Sequence, residues 1–328
     1  MNIEDLAGQR LMVGYDGTTL NDQLREYIRE YRVGGLIFFA RNLIEPKQIE
    51  QLCRDSQAYA KDQGLPPLLI AVDQEGGPVA RLTPPYTQFA GNPGIKSEED
   101  AKEYARVMAK ELLEAGFNMN MAPVMDVVPP DFDSIMIGRA FEGGPDEVAR
   151  LGGYVIQYLQ EYGVLAVAKH FPGIGRTTLD SHLELPYSHA PRAQLEAEDL
   201  VPFREAVRKQ ASGVMFSHIL YTDLDPDWPA SISPAIVSLL REDMGYTGII
   251  MTDDLDMGAV AKQFPIETVV EQFMRSGSDL ALICHPGPNI KTAFNIIRKG
   301  LESDSTLLEM GRASVQRMLA VKQGIGLP

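Results

Sequence analysis

Eight short apolar runs recur along the chain, and their spacing restricts the fold more than any other feature. They are RLMVGY (10–15), GLIFFA (35–40), LLIAVD (68–73), FNMNMAPV (117–124), LAVAKH (165–170), GVMFSH (213–218), GIIMTD (248–253) and LALICH (280–285). Each is continuously apolar rather than alternating, which is how a strand covered on both faces reads. Parallel neighbours need a crossover, usually a helix, between them. Helix-period segments do separate the runs, at 21–32, 97–116, 145–163, 191–210, 233–245, 265–277 and 287–300, with a last one at 306–323. Asn21 and Ser97 are placed as N-caps and Gly116 as a helix stop. The alternation predicts an α/β chain folded as a (β/α)8 TIM barrel, a single domain over residues 1–328. A length of 328 residues suits it, since such barrels take about 250. A doubly wound open sheet would want a GxGxxG fingerprint after the first strand, where GYDGTTLND stands instead.

The formal net charge of -15 argues against nucleic acid or an anionic membrane as partner, because both favour a basic face. The start, MNIEDLAGQRLMVGYDG, lacks a basic segment followed by an apolar core, so no signal peptide is read there. No run approaches the roughly 18 apolar residues of a membrane span. Cys53 and Cys284 stand far apart and outside any CxxC pattern, which suits free buried thiols in a reducing, cytoplasmic setting.

Polar residues gather where the runs end. Asp73, Glu75 and Arg81 follow the third, Asp126 and Arg139 the fourth, and Lys169 and His170 close the fifth. Ser217 and His218 end the sixth, and Asp253 and Asp254 end the seventh. The carboxyl ends of barrel strands form the mouth where such folds do chemistry. Plainer roles stand beside the chemical ones. Asp73 caps a loop or faces a ligand, and Lys169 neutralises buried acids or binds. His218 reads as a hydrogen-bonded strand-end histidine, and Asp254 and Asp256 as caps for a helix starting near Leu255. Trp228 either packs its loop or offers a platform to a ring.

The segment KHFPGIGRTTLDSHLELP (169–186) hangs from the fifth run. Asp180 stands two residues before His182, close enough to accept the imidazole N–H, fix its tautomer and stabilise its protonated form. A histidine so held can donate and retrieve a proton near neutral pH. Gly173 and Gly175 read as hinges that let the loop swing.

The motifs KHFPGxGxxxxDSHxxLP, VDQEGGxVxRL and GIIMTDDLDMGA, with GQRLMVGYDG and IGRAF, together closely resemble glycoside hydrolase family 3, and specifically its bacterial single-domain β-N-acetylglucosaminidases. The resemblance spans most of the chain. It implies a retaining hydrolase of terminal β-linked N-acetylglucosamine in small carbohydrates or muropeptides, typical of peptidoglycan recycling, with no metal or organic cofactor. By the same resemblance Asp253 is the nucleophile, and His182, oriented by Asp180, is the acid/base. Asp73, Arg81, Arg139, Lys169 and His170 then hold the sugar. Retention requires a carboxylate on one face of the anomeric carbon and a proton donor beside the leaving oxygen, which this set supplies. The chain departs from the family pattern at Ile174, usually histidine, at Pro78, usually arginine, and in the tighter spacing of IMIGRAF.

Rival readings are a Schiff-base aldolase on Lys169, a glycoside phosphorylase on the same residues, and a non-catalytic glycan-binding barrel. A metal-dependent amidohydrolase is disfavoured, since LMVGY offers no HxH ligand pair.

Overall fold

The eight runs close into one parallel barrel. The computed structural model describes residues 1–179 and 184–324. In chain order the strands are β1 (Leu11–Val13), β2 (Gly35–Phe38), β3 (Leu69–Val72), β4 (Met119–Asn120), β5 (Leu165–Phe171), β6 (Tyr187–Ser188), β7 (Gly213–Phe216), β8 (Leu220–Tyr221), β9 (Ile249–Asp254) and β10 (Leu280–Ile283). The barrel runs β1-β10-β9-β7-β5-β4-β3-β2 and closes on itself, while β6 and β8 form a separate two-stranded parallel sheet at the mouth. Nearly every barrel-strand residue is buried, because side chains fill the interior on one face and helices cover the other.

The helices start and stop as their end residues dictate. The Asn21 side chain accepts from the Leu24 N–H, Ser97 and Asp100 form a reciprocal capping box, and Gly116 ends its helix at φ 91°. Two helices escape the periodicity, Ile3–Gln9 and Pro46–Asp62. Another expected helix, 191–210, is two pieces, Arg192–Ala197 and Val201–Arg208. Pro202 explains the break: it lacks an N–H, clashes with the turn before it, and is tolerated only in a first turn. The segment 233–245 begins as a helix, Pro234–Ser238, and widens into a π-turn over Leu239–Asp243. No helix among the described residues is long and apolar enough to cross a membrane.

Two local devices aim the strand ends. β4 is only two residues long, and the side-chain amides of its own segment extend its pairing. Asn118 accepts from Ile70 N (2.8 Å) and donates to Leu68 O (2.9 Å), while Asn120 accepts from Gln74 N (3.0 Å) and donates to Gln74 O (2.9 Å). Asn120 thereby fixes the backbone between Asp73 and Glu75. Between β5 and β7 the register slips by one residue at Lys169–Phe171. Such a bulge breaks strict face alternation, and the consecutive side chains of Lys169 and His170 both reach the mouth.

At the opposite end of the barrel, Lys322 of the last helix (Ser305–Gly324) is buried and donates to Gln9 Oε1 and Gly34 O, 3.1 Å each. Burial brings its ammonium down from 10.5 to about 7. The unfolded chain therefore binds this proton more tightly than the folded one between about pH 7 and 10, and stability rises with pH there by up to ~1.4 kcal/mol per unit. Lys322→Met should unfold at higher urea than the parent at pH 6, with the gap closing towards pH 9. An equal gap at both pH values would refute a buried, titrating Lys322.

Candidate active site

The third, fourth and fifth strand ends meet in a buried charge cluster. Lys169 Nζ lies 2.8 Å from Asp73 Oδ1 and 2.7 Å from Glu75 Oε1. Arg139 forks onto the same Glu75, Nε to Oε2 at 3.0 Å and Nη2 to Oε1 at 2.8 Å. Arg81 Nη2 stands 4.0 Å from Asp73 Oδ2, and its buried Nε has no hydrogen-bond partner among the described residues. Burial pushes the Glu75 carboxyl up, but Lys169 and Arg139 overcome this and hold it at about 2. Lys169, wholly buried, stays charged because these two carboxylates outweigh its desolvation.

Asp126 organises the next residue. Fully buried, it takes the His170 ring through Oδ2 (2.8 Å to Nδ1), and its Oδ1 accepts the backbone N–H of His170 (3.2 Å) and of Ile174 (2.8 Å). With Nδ1 so engaged, Nε2 is the His170 nitrogen left for the cavity. Asp253, at the tip of β9, accepts the Asp254 N–H at 2.8 Å. Burial pushes its carboxyl up, but His218, His170, this N–H and Lys169 hold it below its usual range, ionised at neutral pH. His218 is itself satisfied on both nitrogens, by Ser231 Oγ and Asp254 O at 2.8 Å each, and acts as scaffold.

The segment after β5 leaves the barrel under restraint. Tyr221 Oη donates to Gly173 O (2.7 Å), and Arg176 is paired with Asp199 and Glu198. A Cβ on Gly175 would fall 1.8 Å from Val127 O, and one on Gly173, at φ +128°, would press on Asp199. Gly175 thus permits a close backbone approach, and Gly173 a backbone conformation that other residues rarely adopt. The far end is also tied: β6 pairs with β8, and Leu185 packs with Leu220 and Ala259. Asp180 and His182 lie outside the described residues.

The expected site residues Asp73, Arg81, Arg139, Lys169, His170 and Asp253 all line one cavity of about 430 Å³ at the carboxyl end of the barrel. That volume falls in the usual range for small-molecule sites, roughly 300–1,000 Å³. Trp228 does not line it and packs on Phe264, ring centroids 5.4 Å apart. Asp254 and Asp256 cap no helix near Leu255. Asp254 Oδ1 instead accepts from Asp256 N (3.1 Å) and Cys284 N (2.9 Å), tying β9 to β10. Among the described residues, Asp254, Asp256 and His285 are the set whose donor atoms come close enough to share a metal ion, within 4.8 Å. Cys53 and Cys284 are free and buried. Sequence reasoning gave no role to Glu75 or Asp126, and overlooked Arg41 and His285, which also line the cavity. Arg41 follows directly on an apolar run and His285 closes one, the signal that could have found them.

Glu75→Gln should lower stability at pH 7 by about 3–5 kcal/mol, because it strands Lys169 and Arg139 with one carboxylate fewer. A carboxyl at about 2 when folded and 4.5 when unfolded stabilises fully above pH 4.5 and loses that contribution as pH falls towards 2. In urea unfolding, the gap between parent and variant should therefore shrink below pH 4.5. A gap independent of pH would count against Glu75 as the ionised centre.

The model of the glycosyl hydrolase family 3 N terminal domain matches residues 2–321. A beta-hexosaminidase of Alkalilimnicola ehrlichii is 37% identical over 288 residues, covering 84% of this chain and 81% of that protein. One from Pseudomonas aeruginosa is 33% identical over 294 residues, covering 88% and 86%. Among solved structures, a glycoside hydrolase family 3 beta-N-acetylglucosaminidase from Paenibacillus sp. superposes with a TM-score of 0.95 at 36% identity, over all of this chain and 63% of that one. The chain thus spans just under two thirds of that relative's length. A beta-N-acetylhexosaminidase from Beutenbergia cavernae gives 0.90 at 28% identity, covering 98% and 99%. Matched along almost its whole length in sequence and in fold, the chain belongs to glycosyl hydrolase family 3 and is a glycoside hydrolase.

Proposed function

We propose that the protein is a retaining β-N-acetylhexosaminidase that releases terminal β-linked N-acetylglucosamine. The observation that supports it best is an ionised, partly buried Asp253 on the floor of a cavity walled by buried charge pairs. The choice of sugar is supported by the relatives' names, beta-hexosaminidase and, for the Paenibacillus structure, beta-N-acetylglucosaminidase. Asp253 attacks the anomeric carbon as the bond to the leaving oxygen breaks, and that oxygen takes a proton from the His182 imidazolium. The product is a glycosyl ester of Asp253. Neutral His182 then removes a proton from water, the water oxygen bonds to the anomeric carbon, and the ester bond breaks to restore the carboxylate.

Asp180 steadies the imidazolium. Asp73, Arg81, Arg139, Lys169 and His170 orient the sugar hydroxyls through charge-assisted hydrogen bonds, the unpartnered Arg81 Nε among them. In this reading the natural substrate is a small cell-wall carbohydrate or muropeptide, the compartment is the cytoplasm, and the chain works as one domain. None of these steps calls for a metal or an organic cofactor.

Asp253→Ala should reduce release of p-nitrophenol from p-nitrophenyl N-acetyl-β-glucosaminide by about 10⁴-fold or more, as expected for loss of a covalent nucleophile. Near-parental turnover would exclude Asp253 from that role. Assay of the parent with and without phosphate separates hydrolysis from phosphorolysis, the latter marked by a sugar 1-phosphate product. His182→Ala should slow substrates with poor leaving groups far more than nitrophenyl ones, because only the former depend on protonation. Equal losses on both would remove His182 as the acid.

A further inference from the structure

Two of the histidines that line the cavity, His170 and His218, are held by unlike partners. His218 Nε2 lies 2.8 Å from Asp254 O, and its Nδ1 lies 2.8 Å from Ser231 Oγ. A carbonyl oxygen only accepts, so the His218 proton sits on Nε2. His170 is the reverse case. Its Nδ1 lies 2.8 Å from Asp126 Oδ2, and a carboxylate likewise only accepts. In the neutral ring the proton therefore sits on Nδ1, and a bare Nε2 is left to the cavity. The other oxygen of Asp126 is engaged too, since Oδ1 accepts from His170 N (3.2 Å) and Ile174 N (2.8 Å). Backbone pairing puts the carboxylate there. Met125 N donates to Lys169 O (2.6 Å) and Lys169 N to Pro123 O (3.2 Å), which sets Asp126 beside His170.

The use of a bare Nε2 follows from its neighbours. Arg81, Arg139 and Lys169 line the same cavity and can only donate. Lys169 gives two of its three N–H groups to Asp73 and Glu75, which leaves one. A sugar hydroxyl that accepts from one of these cations still has its own proton to place, and an acceptor must stand among the donors. We propose that Asp126 is a positioning residue of the reaction: by keeping the His170 proton on Nδ1, it makes Nε2 the acceptor for the proton of one sugar hydroxyl. The inference rests on the glycosidase reading above. Asp126→Asn reverses the arrangement with little change of shape. Its amide oxygen stays on the two backbone N–H groups, because an NH2 there would set donor against donor. The NH2 then faces Nδ1, donates to it and drives the ring proton to Nε2. The sugar hydroxyl meets a donor where it met an acceptor.

The test is run at pH 8, where an imidazole is ordinarily neutral. Nitrogen-15 NMR of the five histidines, with His170→Gln to assign the signals, should show the His170 proton on Nδ1 in the parent and on Nε2 in Asp126→Asn. His218 should keep its proton on Nε2 in both. Hydrolysis of p-nitrophenyl N-acetyl-β-glucosaminide and of its 3-, 4- and 6-deoxy forms is measured alongside. Deleting the hydroxyl that His170 holds should cost the parent roughly tenfold in kcat/KM and Asp126→Asn about twofold or less. The other two deletions should cost both proteins alike. Equal costs in parent and variant for all three deletions overturn the proposal, and so does a parent His170 with its proton on Nε2 or on both nitrogens. The parent spectrum decides that second point whether or not the variant folds. Failure of the glycosidase reading has a different signature: no p-nitrophenol release by the parent, while the proton still moves from Nδ1 to Nε2 in the variant.

Discussion

The ammonium of Lys169 held between Asp73 and Glu75 is the contact from which the rest of the site follows. A charge moved out of water costs several kcal/mol unless it is paired, so this lysine confines both carboxylates to fixed places. Its partners come from the tip of β3, two strands away, and reaching them requires β4 to be low and short. The side-chain amides of Asn118 and Asn120 make that possible, replacing ladder hydrogen bonds that a longer strand would supply. Arg139 then completes Glu75 from the next loop. The cluster thus joins three strand ends by charge and leaves Asp73, Arg81 and the outer side of Arg139 toward the cavity.

A second constraint governs the segment that carries the assigned proton donor. Asp126 holds both the His170 ring and the start of this segment, so the two share one buried carboxylate. Tyr221 fixes the segment at Gly173, just before Ile174, Arg176 fixes it just after, and the small β6–β8 sheet fixes its return. The loop after Asp253, through Ala259, is part of that second anchor. The loop after Asp253 and the return of the segment after β5 are therefore packed against each other. Precision of this kind comes from rigid supports outside the reacting groups.

The barrel was legible because burial on both faces leaves an unbroken apolar run for each strand. The helix Pro46–Asp62 was not, because its buried stripe is thin: Ile49, Leu52, Cys53, Ser56 and Ala60, with no side-chain cap at Glu45. Polar residues at strand ends were readable as a group, and Asp73, Arg81, Arg139, Lys169, His170 and Asp253 do share a cavity. Their division of labour was not. Glu75 becomes the hub only through Arg139, 64 positions later, and Lys169, later still. The close approach at Gly175 was not readable either, because sequence cannot show the Val127 carbonyl lying against it. A glycine that frees the chain and one that admits a neighbour have the same letter.

The electrostatics of the floor also bear on why a histidine suits the donor's place in the proposed mechanism. Lys169, one of the two cations that hold Glu75 at about 2, also helps to keep Asp253 ionised, after His218, His170 and the Asp254 N–H. A carboxylic acid in such surroundings would surrender its proton early, as Glu75 does, and could not serve as an acid near neutral pH. An imidazole starts from a higher ordinary value, about 6.5, so even where neighbouring cations lower it the ring keeps its proton closer to neutral pH than a carboxylic acid can. The cationic cluster then stays with the sugar and the nucleophile, while proton transfer is assigned to a group two residues from its own carboxylate. Separating the two demands places opposite pKa requirements on different strand ends, which is how one small cavity can host an ionised nucleophile and a protonated donor at the same pH.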